Sequence, residues 1–206
     1  MPVAVTRKEL ERGQRREHLL AAAERVFGRK PFDEATMQEV AAEAQIGMQG
    51  LYEHFPSKQD LYESLIIARV QRLQNKLADA LKDASGPLDR LRMLARVQTE
   101  GFANGPEFFA VFLREQIHFE WGFKSRFGPT LHRVFREEQK QLRAIIEECV
   151  KARLLNPLPP DFLVKVCLGA WEASLHYHFR HCKDEEIESC VDRTVDTFLS
   201  GVGVHP

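Results

Sequence analysis

Three groups of side chains in this chain have the types and spacing to hold a metal ion or move a proton. Glu115 and His118 stand three residues apart, the pair used by helical di-iron bundles. Such centres need a second pair of the same kind and two further glutamates. The nearest candidate, Glu172 with His176, is spaced at four and breaks the pattern. His176, His178, His181 and Cys182 form a denser run, in which His178 and Cys182 share a helix face and could meet Cys167 or Cys190. Histidines two apart point to different faces of a helix, and no C-x-x-C or H-E-x-x-H accompanies them. The run reads as surface or interface histidines, with metal sensing as the alternative. No G-x-S-x-G, Walker loop or G-x-G-x-x-G supports nucleophilic or nucleotide chemistry. The expectation is a protein that is not an enzyme and holds no metal or cofactor.

The chemistry that remains is recognition, and it lies in Thr36 to Leu61. Thr36 is a good N-cap and Glu39, three residues on, can close a capping box. Met37, Val40, Ala41 and Ala44 then recur at helical spacing, and Gln45-Ile46-Gly47 leaves room only for a sharp turn. A second apolar set, Met48, Leu51, Tyr52 and Phe55, stops at Pro56, which forces the preceding residue out of the helical region. Ser57 caps the next helix. Two short helices crossing over a three- or four-residue turn make a helix-turn-helix, whose second helix can enter the major groove of DNA.

The stretch resembles the DNA-binding domain of the tetracycline-repressor (TetR) family of bacterial transcriptional regulators. The resemblance rests on Thr36, Val40, Ala41, Ala44, Ile46, Leu51, Tyr52, His54, Phe55, Ser57, Lys58 and Leu61, and covers roughly residues 13 to 70. A first helix over Arg16 to Lys30, with Leu20, Ala23, Val26 and Phe27 inward, fits it too. Three positions depart: Gln45 replaces the usual turn glycine, Gly47 the usual Ser or Thr cap, and Gln49 a small residue. The resemblance implies that Gly47 to Phe55 reads DNA, with Met48, Gln49 and Gly50 facing bases. Gln49 can bond adenine bidentately and Met48 can touch a thymine methyl. It also implies that Thr36, Tyr52, His54 and Lys58 meet phosphates.

Charge must agree with that assignment. The 206 residues carry a net −1, which gives no overall nucleic-acid signature. Residues 1–30 hold eight Lys or Arg against four Glu, whereas residues 31–60 hold one Lys against six acids. Glu39 and Glu43 are therefore expected to face away from DNA. Arg7, Lys8, Arg12, Arg15 and Arg16 supply the positive side, with residues 1–12 forming a flexible basic arm along the duplex.

Beyond Pro56 the chain reads as helices punctuated by Gly and Pro: Ser57 to about Ala84, Pro87 to Ala103, Pro106 to about Phe119, Pro129 to Leu155, Asp161 to His181 and Asp184 to Leu199. The result is an all-α protein of about nine helices. Residues 13–60 form a helix-turn-helix domain, and 61–206 a helical domain for effector binding and dimerisation, as the resemblance implies. An apolar fraction of 44% with 29% charged residues is ordinary for a globular chain. No apolar run is long enough for a membrane span, and no signal peptide opens the chain, so a cytoplasmic protein is expected. Its four cysteines lack paired spacing and suit a reducing compartment.

Two further sites are expected in the helical domain. Eight of the fourteen phenylalanines fall between Phe102 and Phe135, with Trp121 among them. Phe102, Phe109, Phe112, Gln116, His118, Trp121 and Trp171 are the candidates for a pocket that takes an apolar or aromatic effector, against the plainer reading of a core stripe. The helix Asp161 to His181 is apolar around most of its circumference and carries small residues at Gly169, Ala170 and Ala173. Together with the last helix it is expected to form a homodimer interface through Val166, Gly169, Ala170, Ala173, Tyr177, Val191, Val195 and Phe198. A dimer suits a palindromic operator. A repressor released by a small-molecule effector is the leading reading, ahead of a metal-sensing or ligand-independent regulator and, remotely, a helical enzyme.

Overall fold

In the computed structural model, residues 6–103, 107–111, 114, 129–182 and 185–202 are described. They form eight α-helices, one 3-10 turn and a helical stretch at 107–111, with no strand among the described residues. The all-α expectation holds. The helices are α1 (Arg7–Arg29), α2 (Met37–Glu43), α3 (Met48–Tyr52), α4 (Lys58–Ala80), α5 (Pro87–Ala103), α6 (Pro129–Lys151), α7 (Pro160–His181) and α8 (Ile187–Val202). The chain divides into two compact units, Met1–Arg69 with Glu107–Leu131, and Val70–Pro106 with His132–Pro206. Helix α4 contributes its first half to one and its second half to the other.

The first unit is built on α1, which starts earlier than the sequence suggests. Thr6 caps it with a complete capping box: Glu9 N–H donates to Thr6 Oγ1 at 3.3 Å, and Thr6 N–H to Glu9 Oε2 at 2.8 Å. Residues 7–12 are thus helical, which corrects the expected flexible arm over that span; residues 1–5 lie outside the described residues. Further along, Leu19, Ala23, Val26 and Phe27 of α1 are buried, as are Val40, Leu51, Leu61 and Tyr62 of α2, α3 and α4. Phe27 and Tyr62 meet edge to face at 4.8 Å. Burial of apolar area on this scale is what holds such short helices as α2 and α3, which could not persist alone.

Residues 107–114 complete this unit. A Cβ on Gly28 would lie 2.4 Å from Glu107 Cβ and 2.8 Å from its Cα, so only glycine admits the approach. Arg114 donates to the Phe27 carbonyl in the last turn of α1. Arg69 forms a bidentate pair with buried Glu24 and lies 5.7 Å from the Phe108 ring.

In the second unit Leu91, Leu94, Leu142, Ile146, Leu163 and Phe198 form the main core. Across the surface of α5 and α8, Arg92 pairs with Asp192 and Asp196, both at 3.3 Å, and Arg96 with Glu188 at 3.0 Å. These pairs are exposed and fix register more than they stabilise.

Candidate nucleic-acid interface

The turn between α2 and α3 is a Schellman motif. Ile46 N–H donates to the Ala41 carbonyl and Gln45 N–H to that of Ala42, both at 3.0 Å. Gln45 therefore occupies the left-handed region, φ 54°, where glycine is the usual choice. Helix α1 holds both ends of the motif. His18 Nε2 lies 3.0 Å from the Ala44 carbonyl, while Arg16 donates to the His54 carbonyl at 3.3 Å and to Ser64 Oγ at 2.9 Å. The Arg16 guanidinium also sits 4.3 Å over the Phe55 ring. The turn, the recognition helix and α4 are thereby fixed to one rod.

Helix α3 is capped by the backbone of Gly47 alone and buries Leu51. Gln49 is exposed, whereas Met48 and Gly50 are half-buried. Gln49 Nε2 donates to Glu53 Oε1 at 3.3 Å, one turn on. Tyr52 is 48% exposed, so its ring stands off the core and its hydroxyl is accessible. Thr36 is exposed with its hydroxyl engaged in the α2 capping box, donating to Glu39 Oε2 at 3.1 Å and accepting from Glu39 N–H at 3.2 Å. His54 is half-buried. Burial, and then the charges of Arg12, Arg15 and Arg16, hold its pKa below the ordinary histidine value.

Lys58 is engaged within the chain. Its ammonium donates to the Phe32 carbonyl at 2.7 Å and the Ala35 carbonyl at 2.8 Å, with the Asp33 carbonyl at 3.5 Å. It also lies 4.4 Å from the centre of the Phe32 ring. An ammonium has three donors and no acceptor, and here backbone carbonyls of the loop before α2 take them. Lys58 thus ties the start of α4 to that loop.

Glu39 and Glu43 face the last turns of α1 and the residue after it. Glu43 pairs with Arg25 at 2.6 Å and Arg29 at 3.2 Å, and Glu39 pairs with Lys30. Arg25 holds the Glu43 carboxyl, and Lys30 with Thr36 the Glu39 carboxyl, below the usual range.

Three of the residues expected to line an effector pocket are described. Phe109 is buried in the first unit, and Phe102 and Trp171 in the second, with their rings 5.4 Å apart. Phe112, Gln116, His118 and Trp121 lie outside the described residues. Trp171 Nε1 donates to Thr99 Oγ1 at 3.0 Å, and that hydroxyl donates to the Ala95 carbonyl at 2.6 Å, a buried chain that pins the indole. Trp171 also lines a cavity of about 20 Å³ with Leu94, Gln98, Leu142, Cys167 and Val195. That is room for about one water. Burial pushes the Cys167 thiol up to about 12, so it is no nucleophile at neutral pH.

Of the residues expected at a dimer interface, Gly169, Ala173 and Tyr177 are exposed along α7, with Val166 and Ala170 half-buried. Phe162 extends this face at 54% exposure. Val191, Val195 and Phe198 are a correction. All three are buried within the chain itself, because the apolar stripe of α8 packs on α5 and α7 and leaves its acidic side outward. Near the end of α7, His178 is buried with Nδ1 unpartnered, while His176 and His181 are exposed. Among the described residues no three His, Cys, Asp or Glu side chains converge as metal ligands, and no helix is long and apolar enough to cross a membrane.

Residues 19–65 match bacterial regulatory proteins of the tetR family. A relative named nucleoid occlusion factor SlmA in Photobacterium profundum is 26% identical over 169 residues, covering 81% of this chain and 84% of that protein. Its namesake in Yersinia pestis is 25% identical, covering 89% and 93%. Among solved structures, the ketosteroid transcriptional regulator KstR2 of Mycobacterium tuberculosis aligns with a TM-score of 0.76 at 18% identity over 93% of this chain and 96% of its own. The Bacillus subtilis regulator FadR, solved with stearoyl-CoA, aligns at 0.74 and 13%, over 92% and 99%.

Proposed function

Because residues 19–65 match bacterial regulatory proteins of the tetR family, we propose that this chain is a DNA-binding transcriptional regulator of that family, a cytoplasmic homodimeric repressor released from a palindromic operator by a small-molecule effector. The observation that carries the DNA half of this reading is that α1 holds the end of α2 at Ala44 and the chain just after α3 at His54, with Gln49 and Tyr52 left exposed. Residues 13–60 do the reading. Gln49 takes an adenine, Met48 and Gly50 approach neighbouring bases, and Thr36, Tyr52 and His54 meet phosphates. Residues 61–206 hold the dimer and effector sites. The exposed face of α7, with Phe162, Gly169, Ala173 and Tyr177, pairs with its copy.

The effector enters beside Trp171. A site for a small organic molecule needs about 300–1,000 Å³, far more than the present cavity, so binding must spread the surrounding helices. That spreading is a source of coupling, since a ligand that fits only the opened form shifts the chain toward it. A preference of about 1–3 kcal/mol for the non-binding form relieves repression roughly 5- to 150-fold. A mostly apolar effector suits the lining, with Gln98 as its polar anchor. The stearoyl-CoA in the name of one structural neighbour carries an apolar chain of that general character.

Selection of duplexes from a random-sequence pool by the full-length chain tests the DNA reading. It should return inverted half-sites about 10–10.5 base pairs apart, or a multiple of this, bound less tightly as salt rises. A pool that converges on no sequence would remove the reading. The names of the curated relatives favour a second reading, nucleoid occlusion. Sites scattered along the chromosome, with unchanged transcription of adjacent genes on deletion, would favour it.

A further inference from the structure

The first two turns of α1 carry no apolar face, yet they start with a complete capping box, so something other than core burial makes the helix worth having. Arg12 lies one turn before Arg16 on the same face, and Arg15 lies beside it. Arg16 is anchored on the His54 carbonyl, Ser64 and Phe55, which sets that face next to the end of α3. Arg12 and Arg15 are exposed and have no hydrogen bond or ion pair among the described residues. Their charges reach His54 and help hold its pKa down, which agrees with their placement beside it. Arg7, by contrast, is paired with Glu11 at 2.9 Å on another face.

We propose that the helical overhang of α1 is a rigid docking surface for the phosphate backbone of duplex DNA flanking the half-site, with Arg12 and Arg15 as its phosphate-binding residues. This rests on the DNA-binding reading and adds a contact outside the helix-turn-helix. A helix delivers two guanidiniums at a fixed separation, whereas a flexible arm must be ordered at each encounter. Gly13 sits at the junction between overhang and body, with nothing within 4 Å of a Cβ placed there. It weakens the helix without serving any close contact.

The experiment measures affinity of full-length variants for a duplex selected by the parent chain, at salt from about 50 to 200 mM. Each phosphate contact contributes a slope of about 0.9, so losing one lowers the ratio of affinities across that range about 3.5-fold. Arg12→Ala and Arg15→Ala should each show that loss, while Arg133→Ala, an exposed arginine on α6, keeps the parent ratio. Gly13→Ala should tighten binding, by up to about four-fold. Gly13→Pro should lose affinity with its overall helix content nearly intact. Parental slopes in both arginine variants would overturn the proposal, and so would a parental isotherm for Gly13→Pro, which would mean that helicity does not matter. A parent chain that selects no duplex at all would instead count against the DNA reading on which it rests.

Discussion

Replacing Lys58 by methionine removes one ammonium and keeps the unbranched stem beside the Phe32 ring. Two of its carbonyl contacts, at 2.7 and 2.8 Å, are half-buried, and the third is long and exposed. A hydrogen bond to a charged group contributes about 1.5–3 kcal/mol, and a cation near a ring at an exposed site about 0.5–1 kcal/mol. Two such bonds and the ring sum to about 3.5–7 kcal/mol, and because water can reach part of this site and re-solvate the carbonyls, the lower part applies, about 3.5–5 kcal/mol. Urea denaturation followed by far-ultraviolet circular dichroism should show the loss, and amide exchange should rise over residues 31–36, whose carbonyls are freed. DNA affinity should fall at every salt concentration because the loop that carries the Thr36 cap loosens. The salt slope should not change. A phosphate-binding lysine gives the opposite pattern, with unchanged stability and an affinity ratio between 50 and 200 mM salt that drops about 3.5-fold. That result would refute the tie and restore the phosphate assignment.

Gln45→Gly should stabilise the chain by about 0.5–1 kcal/mol, since a left-handed L-residue costs roughly 1–2 kcal/mol and glycine returns part of that as unfolded-state entropy; an unfolding midpoint below the parent's would show that the glutamine side chain matters more than its backbone. Gln49→Ala should cost about 1–3 kcal/mol at one base pair and relax specificity there, and Glu53→Gln should tighten binding by removing a charge that holds the Gln49 amide; selected sequences unchanged in both would place base reading elsewhere. His54 has its pKa depressed in the free protein, so its neutral form is favoured, and stability declines as pH falls below about 6.5, where the unfolded chain protonates first. A phosphate beside it favours the charged ring, so DNA binding should take up a proton and strengthen as pH falls below about 6.5. His54→Gln should flatten that profile, and a parent whose affinity ignores pH from about 7.5 to 5.5 would leave His54 without a phosphate.

Features written in local sequence were readable, and those decided by a distant partner were not. The Thr36–Glu39 box depends on residues within four positions, and the structure has it where the spacing put it, whereas the helix expected to run to Phe55 ends three residues sooner, at Tyr52. The overhang of α1 was missed because helical periodicity marks only helices that face a core. Its signal was nonetheless present, for Thr6-x-x-Glu9 has the same spacing as Thr36-x-x-Glu39. The intrachain tie made by Lys58 is not legible in the sequence, because its partners lie 23 to 26 residues earlier in the chain. The stripe of α8 was correctly seen as apolar, but a stripe does not say whether its own chain or a second copy covers it. Here α5 and α7 do.

The charge of residues 31–60, awkward for a DNA-binding segment, is resolved by how α1 distributes its cations. Its last turns spend Arg25 and Arg29 on Glu43, and Lys30 just beyond them on Glu39, so two of the six acids are neutralised on the side of the motif that faces α1. Its first turns keep Arg12 and Arg15 beside His54, next to the end of α3, with no ion pair to any of the described residues. One helix thus sets the sign of the field on both sides of the motif. Net charge hides this, because the paired and unpaired cations count alike in it. What reaches a phosphate is only the charge left over after local pairing, and at short range that remainder governs binding in salt, where more distant charges are screened beyond about 10 Å.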